Sequence, residues 1–416
     1  MDRKAKHAIP LLLLIVLLVG VLYLFHTSPD LLDTVKSYLP WENETTEPTT
    51  PDEPTTPDAP IVPDDPIVPD DPIMPDDPIA PDDPDNSEDP PPTEDIEQPD
   101  EPDTVELAGK WYTYQHMVED LQSLAEQYSD ILRVESYGTS ADGRTLYAAT
   151  LGDPSAERQI IITSGMHARE YVNCYAVMRQ LEYYLDNYDR GVYFDKTYRE
   201  LFSEINLVIA PMTNPDGITL SQEGLSAIRS AALREGLAEM ARSVIGNGNA
   251  DAYFNREWKT NARGVDLNRN YDALWAEHDD GVGRPTAKNY KGECPGSEVE
   301  TAALVRLTQS LSDPVASICV HMQGEVIYWR CNQEGAFATE NRRLAEIAAS
   351  VTGYRIIDTN ETEPSYSNWT ILAHGIPTIT VETGVSRYPL SYDLTTNVLA
   401  KNLLLWSAVA YEYATK

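Results

Sequence analysis

His167 and Glu170 stand three apart in His167-Ala168-Arg169-Glu170, a spacing that lets one imidazole and one carboxylate converge on a single ion. A catalytic zinc takes three protein ligands of this kind and keeps one position open for water. Alone the pattern says little. In a chain with 67 acidic residues a Glu falls near some His by chance, and a carboxylate in the first turn of a helix is favoured by the helix dipole anyway. Its surroundings say more. Residues 158–165 are a short apolar, β-branched run closed by Gly165, the pattern of an interior strand. Beyond the motif, Tyr171, Cys174, Met178, Leu181, Leu185 and Tyr188 recur at steps of three and four, the buried stripe of a helix. The pair is expected near the start of that helix, where a buried strand gives way to it.

Other elements must bring the remaining ligands. From residue 112 onward, helical and strand-like segments alternate without a second linker. Tyr112 to Tyr128 reads as an amphipathic helix, with strands at Ile131–Tyr137 and Leu146–Leu151 joined through Ala141-Asp142-Gly143. A strand over Ile205–Ala210 runs into Asn214-Pro215-Asp216-Gly217, and Ser297-Glu298-Val299-Glu300 has the form of a capping box opening a helix to about Ser312. Val315–Val320 reads as a strand ending at His321, Thr378–Val381 as one ending at Glu382, and a last helix spans roughly Thr395–Ala414. This alternation implies one α/β/α domain, a mixed, mostly parallel twisted sheet covered by helices on both faces. Sites in such sheets gather at the carboxyl ends of strands. His167, Asn214, His321 and Glu382 all fall at or just past such ends.

The rest of the composition is partitioned along the chain. Residues 41–106 hold 24 Asp or Glu, no Lys or Arg, and four copies of a Pro-Ile-x-Pro-Asp-Asp repeat between Pro60 and Asp83. Proline removes backbone donors and the carboxylates repel one another, so this segment is expected to be a disordered, solvated spacer. At about 3.1 Å per residue it could reach roughly 200 Å. It carries −24 of the formal −36, residues 1–40 carry +1, and −13 is left for residues 107–416, the expected catalytic domain. An acidic domain of this kind argues against nucleic acid as a partner, and a monomer is expected. Ile9–Phe25 is an uncharged run of 17 residues behind the basic tail of residues 1–8, with residues 26–40 following before the spacer. Roughly 26 Å of helix is near the lower limit for a membrane span. With Arg3, Lys4 and Lys6 ahead of it, the run is expected to be a single-pass anchor with everything after it outside the cytoplasm, secretion after signal cleavage being the alternative. Cys174 lies on the helix stripe and reads as core; Cys294, Cys319 and Cys331 leave room for one disulfide that the sequence does not assign.

Five motifs in order carry a resemblance: Gly165-Met166-His167-Ala168-Arg169-Glu170, Asn214-Pro215-Asp216-Gly217, Gly264-Val265-Asp266-Leu267-Asn268-Arg269-Asn270, His321-Met322-Gln323-Gly324-Glu325 and Val381-Glu382-Thr383-Gly384. Residues 112 to about 412 resemble the zinc metallocarboxypeptidases, closest in motif style to bacterial cell-wall peptidases. The resemblance implies one zinc per chain, held by His167, Glu170 and His321, with Asp266 orienting a zinc-bound imidazole. It implies Glu382 as general base. Asn268 and Arg269 would hold a substrate carboxylate, the guanidinium offering two parallel donors, and Arg169 would add a second carboxylate or subsite contact. Three positions depart from the digestive members. Lys259, after Trp258, stands where many relatives carry an arginine that polarises the scissile carbonyl. Asn360 falls where they carry a mobile tyrosine, with Tyr366 the nearest alternative, and Ser367 falls at the pocket floor. With Glu361 and Glu363 nearby, that floor argues against a purely apolar substrate side chain.

The expected function is therefore a zinc-dependent peptidase acting on extracytoplasmic peptides or peptidoglycan stem peptides. The alternatives are a γ-D-glutamyl-diamino acid endopeptidase of the cell wall, or a non-catalytic peptide- or murein-binding relative. The last would need a ligand or the base to be lost, and all four residues are present. A stalked structural component and a zinc deacylase of amino-acid conjugates are further competitors. The deacylase would not need the Asn268–Arg269 pair.

Overall fold

The computed structural model describes residues 104–415. The basic tail, the apolar run at Ile9–Phe25, the segment after it and the spacer up to residue 103 lie outside the described residues. Among the described residues no helix is long and apolar enough to cross a membrane.

Among the described residues ten strands form in chain order: β1 (Leu132–Thr139), β2 (Thr145–Leu151), β3 (Arg158–Ser164), the short β4 (Val192–Tyr193) and β5 (Lys196–Thr197), β6 (Ile205–Ala210), β7 (Asp313–His321), β8 (Val326–Tyr328), β9 (Arg355–Ile357) and β10 (Thr378–Glu382). β4 and β5 pair only with each other; the other eight form one sheet in the order β1-β2-β6-β3-β7-β10-β8-β9. Its centre, β6-β3-β7-β10, is parallel, and both flanks enter it through antiparallel pairs. The central strands are the apolar runs. Every residue of β6 is buried, as is all of β3 after Arg158, as a parallel sheet covered on both faces requires.

The main helices are α1 (Tyr114–Gln127), α2 (Val172–Asp186), α3 (Tyr198–Glu204), α4 (Pro215–Glu223), α5 (Ala231–Ile245), α6 (Ala250–Glu257), α7 (Val299–Gln309), α8 (Gly335–Thr352), α9 (Tyr366–His374), α10 (Thr395–Asn402) and α11 (Leu405–Ala414). Strand alternation sorts them onto two faces. Ile160 and Ile162 of β3, Ile318 and Val320 of β7, and Ile379 and Val381 of β10 pack with buried residues of α2, α8 and α11. Ile161 and Cys319, one step out of phase, pack with Leu304 of α7 and with Tyr366 and Trp369 of α9.

Two local expectations, the capping box and the single last helix, need correcting, and two readings are made more definite. The His167–Glu170 segment is a turn closed by Glu170 N–H to His167 O at 3.1 Å; α2 begins only at Val172. The expected capping box does not close: the helix begins one residue later with Glu298 as an N-cap that makes no side-chain cap bond, and Ser297 Oγ instead accepts from Asn270 Nδ2 at 2.9 Å and donates to Glu298 Oε1 at 3.0 Å. Glu300 accepts from Ala141 N–H at 2.9 Å. The last helix is two, α10 and α11. Gln180 Nε2 donates to Asn402 O at 2.7 Å and Tyr184 OH to Leu403 O at 2.7 Å, so carbonyls at the break serve side chains of α2 instead of a continuous helix. Finally, all four cysteines are free, with Cys294 exposed and Cys174, Cys319 and Cys331 buried.

Candidate active site and metal centre

Strand register delivers the ligands. β3 stops at Ser164 beside Val320 of β7, three residues short of His167, and the next residue of β7 is His321. Parallel pairing then sets His321 beside Glu382 of β10. Gly165 turns the chain off β3 at φ +63°, and a Cβ there would lie 2.5 Å from Cys174 Sγ. Glycine suits both the left-handed backbone and the close approach to α2. Asn214 pins the turn from the next loop. Its backbone N–H donates to Gly165 O at 3.0 Å, and its Nδ2 reaches Met166 O at 3.0 Å and Thr260 O at 3.2 Å. Ala168 N–H completes the frame by donating to Lys259 O at 3.0 Å.

His167, Glu170 and His321 are all buried and offer ligand atoms within 4.8 Å of one another. Nδ1 of His167 lies 2.7 Å from Glu170 Oε1 and 3.2 Å from Nδ1 of His321, which lies 3.2 Å from Glu170 Oε2. Two buried ring nitrogens turned toward one buried carboxylate form the nitrogen and oxygen donor set of a catalytic zinc. Behind it, His167 Nε2 lies 3.3 Å from Asp266 Oδ1, the outer carboxylate that fixes which ring nitrogen faces the ion. Burial opposes the charge on Glu170 and Asp266, but the imidazoles outweigh it and hold both carboxyls well below the ordinary range. For His167 burial likewise opposes charge, and Glu170 and Asp266 raise its pKa regardless.

Glu382 meets the opposite environment. Burial pushes its carboxyl up to about 7, with Glu170 adding to the rise while His321 and Lys259 pull against it. A carboxylate tuned near neutrality is what a general base requires. Lys259 sits after the buried Trp258, and its charge is felt by His167, Asp266 and Glu382 alike.

Asp266 also opens the turn that bears Asn268 and Arg269, the pair expected to bind a carboxylate. Its Oδ1 accepts Asn268 N–H at 3.1 Å and its Oδ2 accepts Asn289 N–H at 3.2 Å. Arg269 lies 3.6 Å from Glu363 through Nη2, and Nη1 donates to Asn268 O at 3.0 Å. Asn268 Oδ1 accepts Tyr366 N–H at 3.1 Å, which ties this turn to the start of α9. Arg169 is buried with its guanidinium 4.0 Å over the Tyr388 ring, and Tyr388 OH donates to Met322 O at 3.1 Å.

One expected substrate contact, Tyr366, sits elsewhere. Tyr366 is fully buried among Tyr271, Trp369 and Leu304, its hydroxyl 2.8 Å from Thr308 Oγ1, so it is a core residue of the α7–α9 face and does not line the cleft. Ser367 is half-buried and shares a 3.0 Å hydrogen bond with Ser365 Oγ at the start of α9. Asn360 is exposed and exchanges two 2.7 Å hydrogen bonds with Asn332. Sequence reading missed Tyr328, His278 and Tyr388. The hydroxyl of Tyr328 is pushed up to about 12 by burial and by Glu382, Glu361 and Glu363. The His278 pKa is lowered by burial and by Arg269. None stands in a motif or at a diagnostic spacing; only the fold brings them in. A separate groove of about 660 Å³, lined by Arg133, Gln159, Asn206 and Arg306, opens where β3 and β6 begin and holds none of these residues.

The chain is similar to known proteins. The profile of the zinc carboxypeptidase family matches residues 117–394. A γ-D-glutamyl-L-diamino acid endopeptidase 1 of Lysinibacillus sphaericus is 28% identical over 67% of this chain and 67% of its own. Carboxypeptidase B of Astacus astacus is 30% identical over 46% of this chain and 54% of its own. Carboxypeptidase A of Helicoverpa armigera superposes with a TM-score of 0.55 at 17% identity, covering 73% of each chain, and so shares the fold. The motifs, the His-Glu-His cluster and a profile spanning most of the domain agree: the chain belongs to the zinc carboxypeptidase family and is a zinc metallopeptidase.

Proposed function

We propose that this zinc peptidase hydrolyses amide bonds in the stem peptides of a bacterial cell wall, from an anchor that holds the catalytic domain outside the membrane. The observation that carries the substrate is the likeness to the γ-D-glutamyl-L-diamino acid endopeptidase, which runs over two thirds of both chains. Lys259, Asn360 and Ser367, which depart from the digestive pattern, support it. The apolar run at 9–25 and the acidic spacer support the location.

Zinc held by His167, Glu170 and His321 supplies Lewis-acid activation of water and of the scissile carbonyl. The chain's own groups do the rest. Glu382 accepts the proton of the attacking water as its oxygen bonds to the carbonyl carbon, then returns it to the nitrogen as the C–N bond breaks. Lys259 offsets the negative charge growing on the carbonyl oxygen. Asn268 and Arg269 orient the substrate through a carboxylate, Arg269 as a planar double donor. Asp266 keeps His167 turned toward the ion.

The test is digestion of purified muropeptides and of a linear peptide panel by the zinc-loaded protein, with product masses measured. Scission within stem peptides is expected. Release of single carboxyl-terminal residues from linear peptides, with muropeptides left intact, would refute the substrate and favour a plain carboxypeptidase.

A further inference from the structure

Residues 258–270 carry Lys259, Asp266, Asn268 and Arg269, yet apart from one 3₁₀ turn at Leu267–Arg269 no helix or strand shapes them. Side chains must do so. Two fully buried asparagines stand beside the two cations of this segment, Asn261 two residues after Lys259 and Asn270 directly after Arg269. Asn261 Oδ1 accepts the N–H groups of Arg263 and Val265 at 2.9 and 3.1 Å, which closes the loop on itself. Its Nδ2 donates to Glu298 Oε2 at 2.8 Å and reaches Glu300 Oε2 at 3.4 Å. Asn270 Oδ1 accepts Glu298 N–H at 3.1 Å, and its Nδ2 donates to Ser297 Oγ at 2.9 Å. Ser297 Oγ in turn donates to Glu298 Oε1 at 3.0 Å. One buried residue, Glu298, thus meets both asparagines. It is the N-cap of α7, yet its side chain makes no bond to that helix. The ion pair with the half-exposed Arg263 is loose at 3.9 Å. A helix that forgoes its own cap beside a site breaks a local rule where function is expected to break it.

We infer that Glu298 is a positioning residue of the peptidase reaction, holding the Lys259 loop and the Arg269 turn at one fixed spacing. The inference deepens the proposed function and rests on the roles given there to Lys259 and Arg269. A substrate's scissile carbonyl and its carboxylate are joined by covalent bonds. The ammonium that meets the first and the guanidinium that meets the second must therefore keep a matching separation. A misplacement of about 1 Å can cost on the order of 100-fold in rate. α7 gives the brace a firm base, packed on the sheet through the buried Leu304. What Glu298 supplies is reach more than charge. Glutamine has the same length, and its oxygen can accept Asn261 Nδ2 while its amide donates to Ser297 Oγ. Aspartate keeps the charge but is one methylene shorter. As a preferred N-cap it can turn instead to the N–H groups of α7.

The experiment measures kcat/KM of Glu298→Gln and Glu298→Asp in the zinc-loaded full-length chain, on whichever of a muropeptide and a linear peptide the native protein cleaves. Glu298→Gln should stay within about threefold of native while Glu298→Asp loses about tenfold or more. That loss should be divided between kcat, through Lys259, and KM, through Arg269, with the urea-unfolding midpoint kept. Native rates in Glu298→Asp, equal losses in the two variants, or the reverse order overturn the inference. Failure of Glu298→Asp to fold would mark a brace of the fold at large and overturn it too. A double-mutant cycle with Arg269→Ala gives a readout that general support of the fold would not move. With the guanidinium gone, Glu298→Asp should cost much less than it does in the native chain. A loss that multiplies in full overturns the inference and leaves the proposed function standing. If Arg269→Ala by itself leaves kcat/KM at the native value, the carboxylate clamp of the proposed function fails and the inference falls with it.

Discussion

Replacing Asp266 by asparagine should weaken zinc binding by about 10- to 100-fold, the usual effect of changing a metal ligand's outer partner. The structure shows why. Asp266 is fully buried and serves three groups: His167 Nε2 at 3.3 Å and Asn268 N–H at 3.1 Å through Oδ1, and Asn289 N–H at 3.2 Å through Oδ2. An amide keeps the shape but has only one acceptor oxygen. Turned one way, its NH2 meets the N–H of Asn289; turned the other, it meets the ring nitrogen of His167 and the N–H of Asn268. Either way a buried donor loses its acceptor and the imidazole loses the charge behind it. A hydrogen bond to a charged group is worth about 1.5–3 kcal/mol. At about 1.4 kcal/mol per tenfold, that corresponds to roughly 10- to 150-fold in affinity, in line with the general effect. Competition against a chromogenic chelator measures the zinc dissociation constant of both proteins. Kinetics at saturating zinc supply a second readout, because Asp266 also opens the turn bearing Asn268 and Arg269, and KM should stay raised once the metal is restored. A dissociation constant within twofold of native would show that something else orients His167, and the reasoning would fall.

Glu382→Gln should keep stoichiometric zinc and lose at least about 100-fold in kcat; wild-type turnover would move the base elsewhere. Glu382 works ionised and burial pushes its carboxyl up to about 7. Native kcat/KM should therefore fall as pH drops through that pKa, which the positive charge of bound zinc draws lower. An acid limb above about 7, or one that survives in Glu382→Gln, contradicts this. Arg144→Ala should cost about 3–5 kcal/mol in urea unfolding, because it leaves Asp142 and Asp216 buried without the guanidinium that reaches them at 2.6 and 2.9 Å; a loss under about 1 kcal/mol would mean those carboxylates take up protons instead. Tyr366→Phe should cost about 1 kcal/mol of stability through its bond to Thr308 and change kcat/KM by less than about twofold. A tenfold loss of activity would put its hydroxyl back in the cleft.

Sequence reading succeeded where one physical constraint dominates. β6 has the bounds its apolar run predicts, and β10 closes at Glu382, since a strand buried on both faces must be apolar throughout and a polar residue marks its end. His321 ends such a strand and His167 follows one by three residues, while the ligand set with Glu170 was legible through the motifs and their family resemblance. It failed where side chains from distant segments compete for the same groups. Ser297 to Glu300 has the letters of a capping box, but Asn270 takes the Ser297 hydroxyl and Ala141 the Glu300 carboxylate. The helix expected to run from Thr395 to Ala414 breaks because Gln180 and Tyr184 take carbonyls near Leu403. Counting back from Glu382 puts Asn360 at the position of the relatives' mobile tyrosine, with Tyr366 only the nearest alternative. In the fold it is the first residue of a helix capped by Ser365, and its ring turns into the core. Glu361 and Glu363 were noticed as charges near a pocket; their coupling to Arg269 exists only once the loop is folded.

Burial pushes the thiols of Cys174, Cys319 and Cys331 up to about 12, so at neutral pH they stay protonated and poorly nucleophilic. Cys294 alone is exposed. The native sequence thus already offers a single attachment point for a thiol-reactive spin label or fluorophore, with no cysteine to add or remove. Its position is useful. Cys294 O accepts a hydrogen bond from Asn270 Nδ2 at 3.1 Å, and Asn270 directly follows Arg269. A reporter on that sulfur would sit on the loop braced against the arginine's own turn, where its rotational freedom should change as a ligand's carboxylate arrives and leaves.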